Sequence, residues 1–319
     1  EGRKEGTAMQ VRFIIPDDVA VCAQIVQDAP IPLAQPREKA WHPLFAGGHA
    51  TGVVVEDGGQ VIAFGMSLFI SEELRQAIIT APNPISPLLF PPYPQNGILR
   101  RSKRAAQDAI LQAHRDSGLN LVGLYGWREE YADCPALRQV LYQSFHLVHR
   151  GYHLASFLKE VYGDREREAY KRLDLECYKA PDKYNPHLRR YCPYLVGIER
   201  SQVSLEDRTA DLFQPSAPQL HLGNLQRSII QLAWLCRINN AQIAECLEMQ
   251  EATVQWHWAE MCRQHPQHFC CQSQENGRRG RGAVMRYVAA HPEVMYPLEI
   301  PKLFYKKPEL ARRYPLCLI

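Results

Sequence analysis

A chain of 319 residues with 46 % apolar and 22 % charged side chains has an ordinary globular composition and enough length for two or three cores. Its net charge of +3 is too small to argue for nucleic acid by itself. No stretch approaches the roughly 18 apolar residues of a membrane span, and ten scattered cysteines include no Cys-x-x-Cys pair, so reduced thiols in a cytoplasmic protein are expected.

Residues 1–8 read as an expression leader ahead of Met9. Val11 to Ile15 forms an apolar strand, and Pro16 with Asp17 and Asp18 then opens a helix carrying Ala20, Val21, Ile25 and Val26. Residues 29–50 hold several prolines and a Gly47-Gly48 pair, which predicts irregular chain or a broken helix. Two apolar runs, 52–56 and 60–70, flank Asp57-Gly58-Gly59 and predict a hairpin. Six prolines between residues 81 and 95 exclude regular structure there. A short strand at Gly97–Leu99, a helix over Arg100–Ser117, a buried strand over Leu119–Tyr125 and a helix over Pro135–Phe145 follow. Residues 151–162 fit a strand or a helix equally well. A charged helix after Asp164, a strand near Leu173–Tyr178 and a last strand at Tyr194–Ile198 complete this half, and 205–221 read as a linker.

This order of elements resembles the GCN5-related N-acetyltransferase fold. The hairpin VVVEDGGQVIAFG is similar to that family's central hairpin, and Leu141-Tyr142-Gln143-Ser144-Phe145 to its Leu-Tyr-x-x-x-Gly-Phe pattern. The resemblance implies acetyl-CoA or acyl-CoA, held by a phosphate loop, and a tyrosine that protonates the leaving thiolate. The loop would fall on Arg100, Arg101, Lys103 and Arg104, where Lys103 replaces a glycine and side-chain cations would take over from backbone N–H groups. A basic turn without ligand, or a phosphate-backbone contact, is the alternative. Tyr142 would be the tyrosine, with no base evident beside it. His146, His149 and His153 share one helical face, a spacing open to a metal or a proton relay, with no carboxylate partner evident.

From Leu222 to Gln264 the periodicity predicts three helices. Leu225, Ile229, Leu232, Ala233 and Cys236 line the first, Ile243, Ala244 and Leu247 the second, and Val254, Trp258 and Met261 the third. Asn239 or Asn240 caps the second. The sequence Ile243-Ala244, Leu247, Thr253-Val254, His257, Met261 resembles the LuxR-type helix-turn-helix of bacterial regulators. That resemblance implies DNA contacts from Gln250, Glu251, Thr253, Gln255, Trp256 and Arg263 on the third helix. Departures are Glu248 at the turn position usually given to Gly, Gln250 as cap, and Gln255 where a basic residue is expected. Three arginines against four glutamates leave these residues one charge negative, a poor phosphate surface.

Cys262, His265, His268 and Cys270 have metal-ligand chemistry without the paired spacing of a structural zinc site. Residues 276–282 read as a flexible basic stretch whose Arg278, Arg279 and Arg281 suit a phosphate backbone or a minor groove. The tail adds Lys302, Lys306, Lys307, Arg312 and Arg313.

The expected architecture is an α/β domain with a mixed, acetyltransferase-like sheet over 9–180, a proline-rich connection over 181–221, an all-α helix-turn-helix over 222–265 and a basic extension over 266–319. The expected function is a bacterial-type DNA-binding transcriptional regulator whose first domain senses a small molecule or protein, acting as a homodimer. The competing expectation is an acyl-CoA-dependent N-acyltransferase with a helical interaction module.

Overall fold

The computed structural model describes residues 9–26, 36–80, 85–89, 105–180, 193–204, 206, 209–269 and 277–318. Its first half consists of β1 (Gln10–Phe13), α1 (Val19–Ile25), α2 (Arg37–Gly47), β2 (Ala50–Asp57), β3 (Gln60–Ile70), α3 (Glu72–Thr80), α4 (Ser86–Leu89) and α5 (Ala105–Arg115). β4 (Leu119–Trp127), α6 (Pro135–His149), β5 (Leu154–Tyr162), α7 (Asp164–Lys171), β6 (Glu176–Lys179) and β7 (Pro193–Glu199) follow. The helical half holds α8 (Ala210–Phe213), α9 (Asn224–Leu235), α10 (Asn240–Leu247), α11 (Glu251–Gln264), α12 (Pro266–Phe269), α13 (Gly277–Ala290), α14 (Ile300–Lys306) and α15 (Pro308–Arg313).

The strands form one mixed seven-stranded sheet in the order β1-β2-β3-β4-β5-β7-β6. Only β4 and β5 run parallel, because α6 carries the chain back across the sheet between them. The expected hairpin joins β2 to β3, with Gly58 and Gly59 at φ 58° and 80°, the left-handed values that a tight turn needs. Between β3 and β4, adjacent in the sheet, the chain inserts α3, α4 and α5; the single turn of α4 lies inside the run 81–95, expected to hold no regular structure, with Pro87 in its first turn. Within the stretch 29–50, expected to be irregular or a broken helix, α2 forms a helix that contains Pro43. Residues 151–162 resolve as strand β5. The strand at 97–99 lies outside the described residues.

Side chains alternate across the central strands and build a core on each face. On one face Ile14, Val54, Phe64, Met66 and Leu68 meet Trp41 and Leu44 of α2 and Ile78 of α3. On the other, Phe13, Val53, Val55 and Leu121 join Leu147 and Val148 of α6 in a core continuous with α9, α11, α13 and α14. The helical half is therefore seated on the sheet. Tyr296 packs on Tyr152 with ring centroids 4.4 Å apart and donates a hydrogen bond to the Leu147 carbonyl at 3.1 Å. The Leu316 N–H donates to the Val11 carbonyl at 2.7 Å, tying the tail to the edge strand. The expected linker over 205–221 contains α8, and Leu212, Phe213 and Leu220 are buried.

α9, α10 and α11 fall where the periodicity puts them, although Leu225, expected on the inner face of α9, is exposed. Asn239 caps α10, its Oδ1 accepting the Gln242 N–H at 3.0 Å while Gln242 Oε1 accepts the Asn239 N–H at 2.9 Å. Glu248 ends α10 at φ 54°, the left-handed conformation expected of that turn. Residues 276–282 are not a flexible stretch from Gly277 onward: α13 begins there, and Gly280 lies against the Trp258 backbone so closely that a Cβ would sit 3.1 Å from its carbonyl oxygen. Among the described residues no helix is long and apolar enough to cross a membrane.

Candidate functional site

The parallel pair that the crossover creates does not stay paired. β4 and β5 are in register from Leu119 with Leu154 to Gly123 with Lys159. Beyond that point β5 continues beside β7, while β4 runs on to Trp127 beside β3. The two strands part, and the end of α1 enters the opening, where Val26 bridges Gly126. A cleft of about 910 Å³ runs through the gap, within the roughly 300–1,000 Å³ of small-molecule sites. Ala23, Gln24 and Val26 line it from the α1 side; side chains of α6, α7 and α8 line it from the other.

Lys159, the last β5 residue paired with β4, is buried in this cleft. Its Nζ lies 3.4 Å from the ring centroid of Tyr125 on β4 and 4.8 Å from that of Tyr170 on α7. Glu166 on α7 is the nearby carboxylate, but its Oε2 already accepts the Tyr125 hydroxyl at 2.5 Å and the Tyr162 N–H at 3.0 Å. Burial drives Lys159 from its ordinary 10.5 down to about 7, against the attraction of Glu166. The same burial raises Tyr125 and Tyr170, so both stay protonated and give the ammonium no counter-charge. The Tyr170 hydroxyl has no hydrogen-bond partner among the described residues.

At the mouth near the start of α6, Arg165 Nη2 lies 2.8 Å and Arg138 Nη2 3.5 Å from Asp133 Oδ1. Both arginines line the cleft and are more than half exposed. They occupy the place where the crossover leaves β4. The segment Arg128–Pro135 there has no glycine.

Tyr142, the expected thiolate acid, lies on α6, half-exposed, with its ring 4.1 Å from that of His146. It lines the same cleft from the middle of the helix. Tyr170, near the end of α7, also lines it; Asp174 follows at φ 64° and Leu175 is buried.

The three histidines separate. His146 Nδ1 lies 2.9 Å from Asp211 Oδ2, the carboxylate partner that the sequence left unseen. His149 donates from Nδ1 to the Phe145 carbonyl at 2.8 Å, and burial lowers it to about 4. His153 turns instead to His114, so the expected common face does not form a single cluster. Arg100, Arg101, Lys103 and Arg104 lie outside the described residues.

On α11, Glu251, Ala252, Thr253, Gln255, Trp256 and Ala259 are exposed, and Trp256 is the most exposed large apolar side chain among the described residues at 57 %. Gln250 precedes the helix without a side-chain cap. The cations expected to meet DNA are largely engaged. Arg263 pairs with Glu260, Lys307 with Glu248, Arg313 with Glu245 and Arg312 with Asp17. Arg281 points inward, donating to Asn240 Oδ1 at 2.9 Å and the Ile238 carbonyl at 2.7 Å beneath Trp258. It is structural. Arg278 and Arg279 begin α13, and their side chains lie outside the described residues.

The expected metal ligands are also committed elsewhere. Cys262 Sγ donates to the Gly280 carbonyl at 3.7 Å, His268 Nδ1 lies 3.2 Å from the Tyr287 hydroxyl, and the ring of His265 meets Phe269 edge-on. Cys270 is outside the described residues. No group of three metal-ligating side chains occurs among those described.

No protein-family model and no curated protein matches the chain. Among solved structures it is similar to the spermidine/spermine N-acetyltransferase SpeG from Vibrio cholerae, at 9% identity and a TM-score of 0.37 over 61% of this chain and 94% of that one. It is also similar to Arabidopsis thaliana NAA60 in complex with acetyl-CoA, at 16% identity and a TM-score of 0.38 over 60% of this chain and 98% of that one. These scores are low, and the likeness decides nothing about function; the sheet and the cleft carry the reading.

Proposed function

We propose that the chain is an acyl-CoA-dependent N-acyltransferase and that the helical half braces its sheet. The observation that supports this most is the parting of β4 and β5 around a cleft that holds the buried Lys159 and the Tyr170 hydroxyl, which has no hydrogen-bond partner among the described residues. The order of elements and the Tyr-x-x-x-Asp-Leu end of α7 agree with the acetyltransferase resemblance.

The residues at the mouth fit a polyanionic coenzyme by side-chain charge. Arg138 and Arg165 stand beside the start of α6, where the first backbone N–H groups of the helix lack intrahelical partners. Without glycine in Arg128–Pro135 the backbone cannot approach closely, and the two guanidiniums would hold the phosphates instead. Asp133 must release them for this. When bound, the coenzyme supplies an activated acyl thioester. Tyr170 holds a proton at its hydroxyl in the cleft, available to a leaving sulfur. Aromatic walls from Tyr125, Phe145 and Phe157 exclude water from the reacting region.

Regulation by DNA binding has the exposed face of α11 in its favour, but its surrounding cations are paired with the protein's own carboxylates. An anion-binding site at the cleft mouth asks for a smaller rearrangement: Asp133 must release both arginines, and the Ala132 carbonyl, which accepts from Arg138 Nη2 at 2.6 Å, must release Arg138. The test is calorimetric titration with acetyl-CoA of the parent chain and of an Arg138→Ala, Arg165→Ala double variant. The reading expects saturable binding that weakens at least tenfold in the variant. A parent chain that binds no acetyl-CoA defeats it.

A further inference from the structure

The cleft contains an amine of its own. We propose that Lys159 is a site of self-acylation, taking the acyl group of a thioester held in the same cleft; this rests on the acyltransferase reading above.

Geometry is the first support. Lys159 stands at the point where β4 and β5 part, so its Nζ faces the space between the strands and not the closed sheet. Two aromatic faces hold it, at 3.4 and 4.8 Å, and no hydrogen-bond acceptor among the described residues takes its protons. Hydrogen-bond accounting is the second. The one carboxylate close by, Glu166, is occupied by Tyr125 and the Tyr162 backbone.

The groups packed against Nζ are Tyr125 from β4 and Tyr170 and Glu166 from α7; Tyr162 follows on β5, and His149 of α6 lines the same cleft in its neutral form. Glu166 and the faces of Tyr125 and Tyr170 favour the ammonium, but burial acts against it and brings the group to about 7. At neutral pH about half of Lys159 is then a free amine. An ordinary lysine with a value near 10.4 is neutral roughly a thousandfold less often, so Lys159 has that advantage as a nucleophile before any gain from proximity.

In the step, the neutral amine adds to the thioester carbonyl carbon, a C–N bond forms and the C–S bond breaks. The sulfur leaves with the bonding pair, and the surplus proton of the nitrogen ends on it as a thiol, directly or through Tyr170. The products are an amide on Lys159 and a free thiol; no oxidant, reductant or third reactant is required. The acylated side chain carries no charge and adds volume to the gap, so it narrows the cleft for the next ligand.

The test incubates the full chain with acetyl-CoA across pH 6 to 9, followed by intact mass and peptide mapping, with acetyl-CoA binding measured separately by calorimetry. The expected result is one acetyl group, mapped to Lys159, at a rate that rises with pH and levels off above about 7. Lys159→Arg should abolish the label, and Lys159→Met, which keeps the apolar stem without a charge, serves if the arginine variant fails to fold. Acetyl-CoA binding with Lys159 unlabelled, or label spread over exposed lysines, overturns self-acylation and leaves the acyltransferase reading standing. Absence of acetyl-CoA binding overturns that reading, and self-acylation by a coenzyme thioester falls with it.

Discussion

Replacing Lys159 by methionine should stabilise the protein, and by an amount that depends on pH. The folded chain holds the lysine at about 7 while the unfolded chain returns it to its ordinary 10.5. At roughly 1.4 kcal/mol per tenfold change in proton affinity, that difference corresponds to a burial penalty of about 5 kcal/mol for the ammonium. Two cation–π contacts are lost with the charge, worth about 1–2 kcal/mol together. Methionine has a stem of similar length and no charge to bury, so the net gain at pH 6 is about 3 kcal/mol. Because the folded value lies below the unfolded one, the unfolded chain holds the proton between pH 7 and 10.5 and the folded chain does not. The parent therefore gains stability as pH rises through that window, and the advantage of methionine shrinks with it. Urea unfolding of both chains at pH 6, 8 and 9.5 measures this directly. A methionine variant less stable than the parent at pH 6, or a difference that does not change with pH, would refute the burial argument and remove the physical basis for Lys159 as a nucleophile.

Three further outcomes follow from the same geometry. Tyr170→Phe should leave acetyl-CoA binding within about twofold while lowering the rate of acyl transfer roughly a hundredfold, whereas Tyr142→Phe should change neither; calorimetry and a thiol-release assay separate the two. Burial lowers His114 and His149 to about 4 each, below their ordinary 6.5, so the unfolded chain takes up protons that the fold refuses. Stability should be full above pH 6.5 and fall as pH drops toward 4, by at most about 3 kcal/mol per histidine, and His149→Gln should flatten the profile. Arg12 joins β1 to the first helical turn and to β2, lying 2.6 Å from Asp18 and in contact with Glu56. Arg12→Met leaves the buried Asp18 carboxylate without its cation and should cost about 3–5 kcal/mol in urea unfolding.

The elements that sequence made legible are those whose signal is local. The Asp57-Gly58-Gly59 hairpin, the helices of 222–264, the Asn239 cap and the strained turn at Glu248 each rest on a few neighbouring residues, and each stands where its pattern puts it. The misreadings are non-local. Residues 205–221 look like a linker in isolation because their partners lie in the sheet and in the later helices. Arg281 looks like a phosphate contact because only the fold brings Asn240 and the Ile238 carbonyl to it. A cation's sequence environment gives its sign; its availability depends on which carboxylates the tertiary structure places beside it.

The same distinction explains why the cleft was not legible as a whole, although the expected Tyr142, His146 and His149 line it. Its defining event, the separation of β4 from β5 after Gly123 and Lys159, is a property of two strands with a helix between them, and neither strand carries a mark of it. Read alone, Lys159 interrupts the run Phe157-Leu158-Lys159-Glu160-Val161 like any polar residue in a strand, and Tyr142 fits the Leu-Tyr-x-x-x-Gly-Phe pattern better than Tyr170 does. What separates the two tyrosines is backbone conformation: Tyr170 lies one turn before Asp174, whose left-handed backbone follows the end of α7. Tyr142 sits in a helix that continues to His149 and has no such turn to make. A pattern match is therefore worth as much as the physical requirement behind it, and here that requirement selects the residue whose ring faces the buried amine.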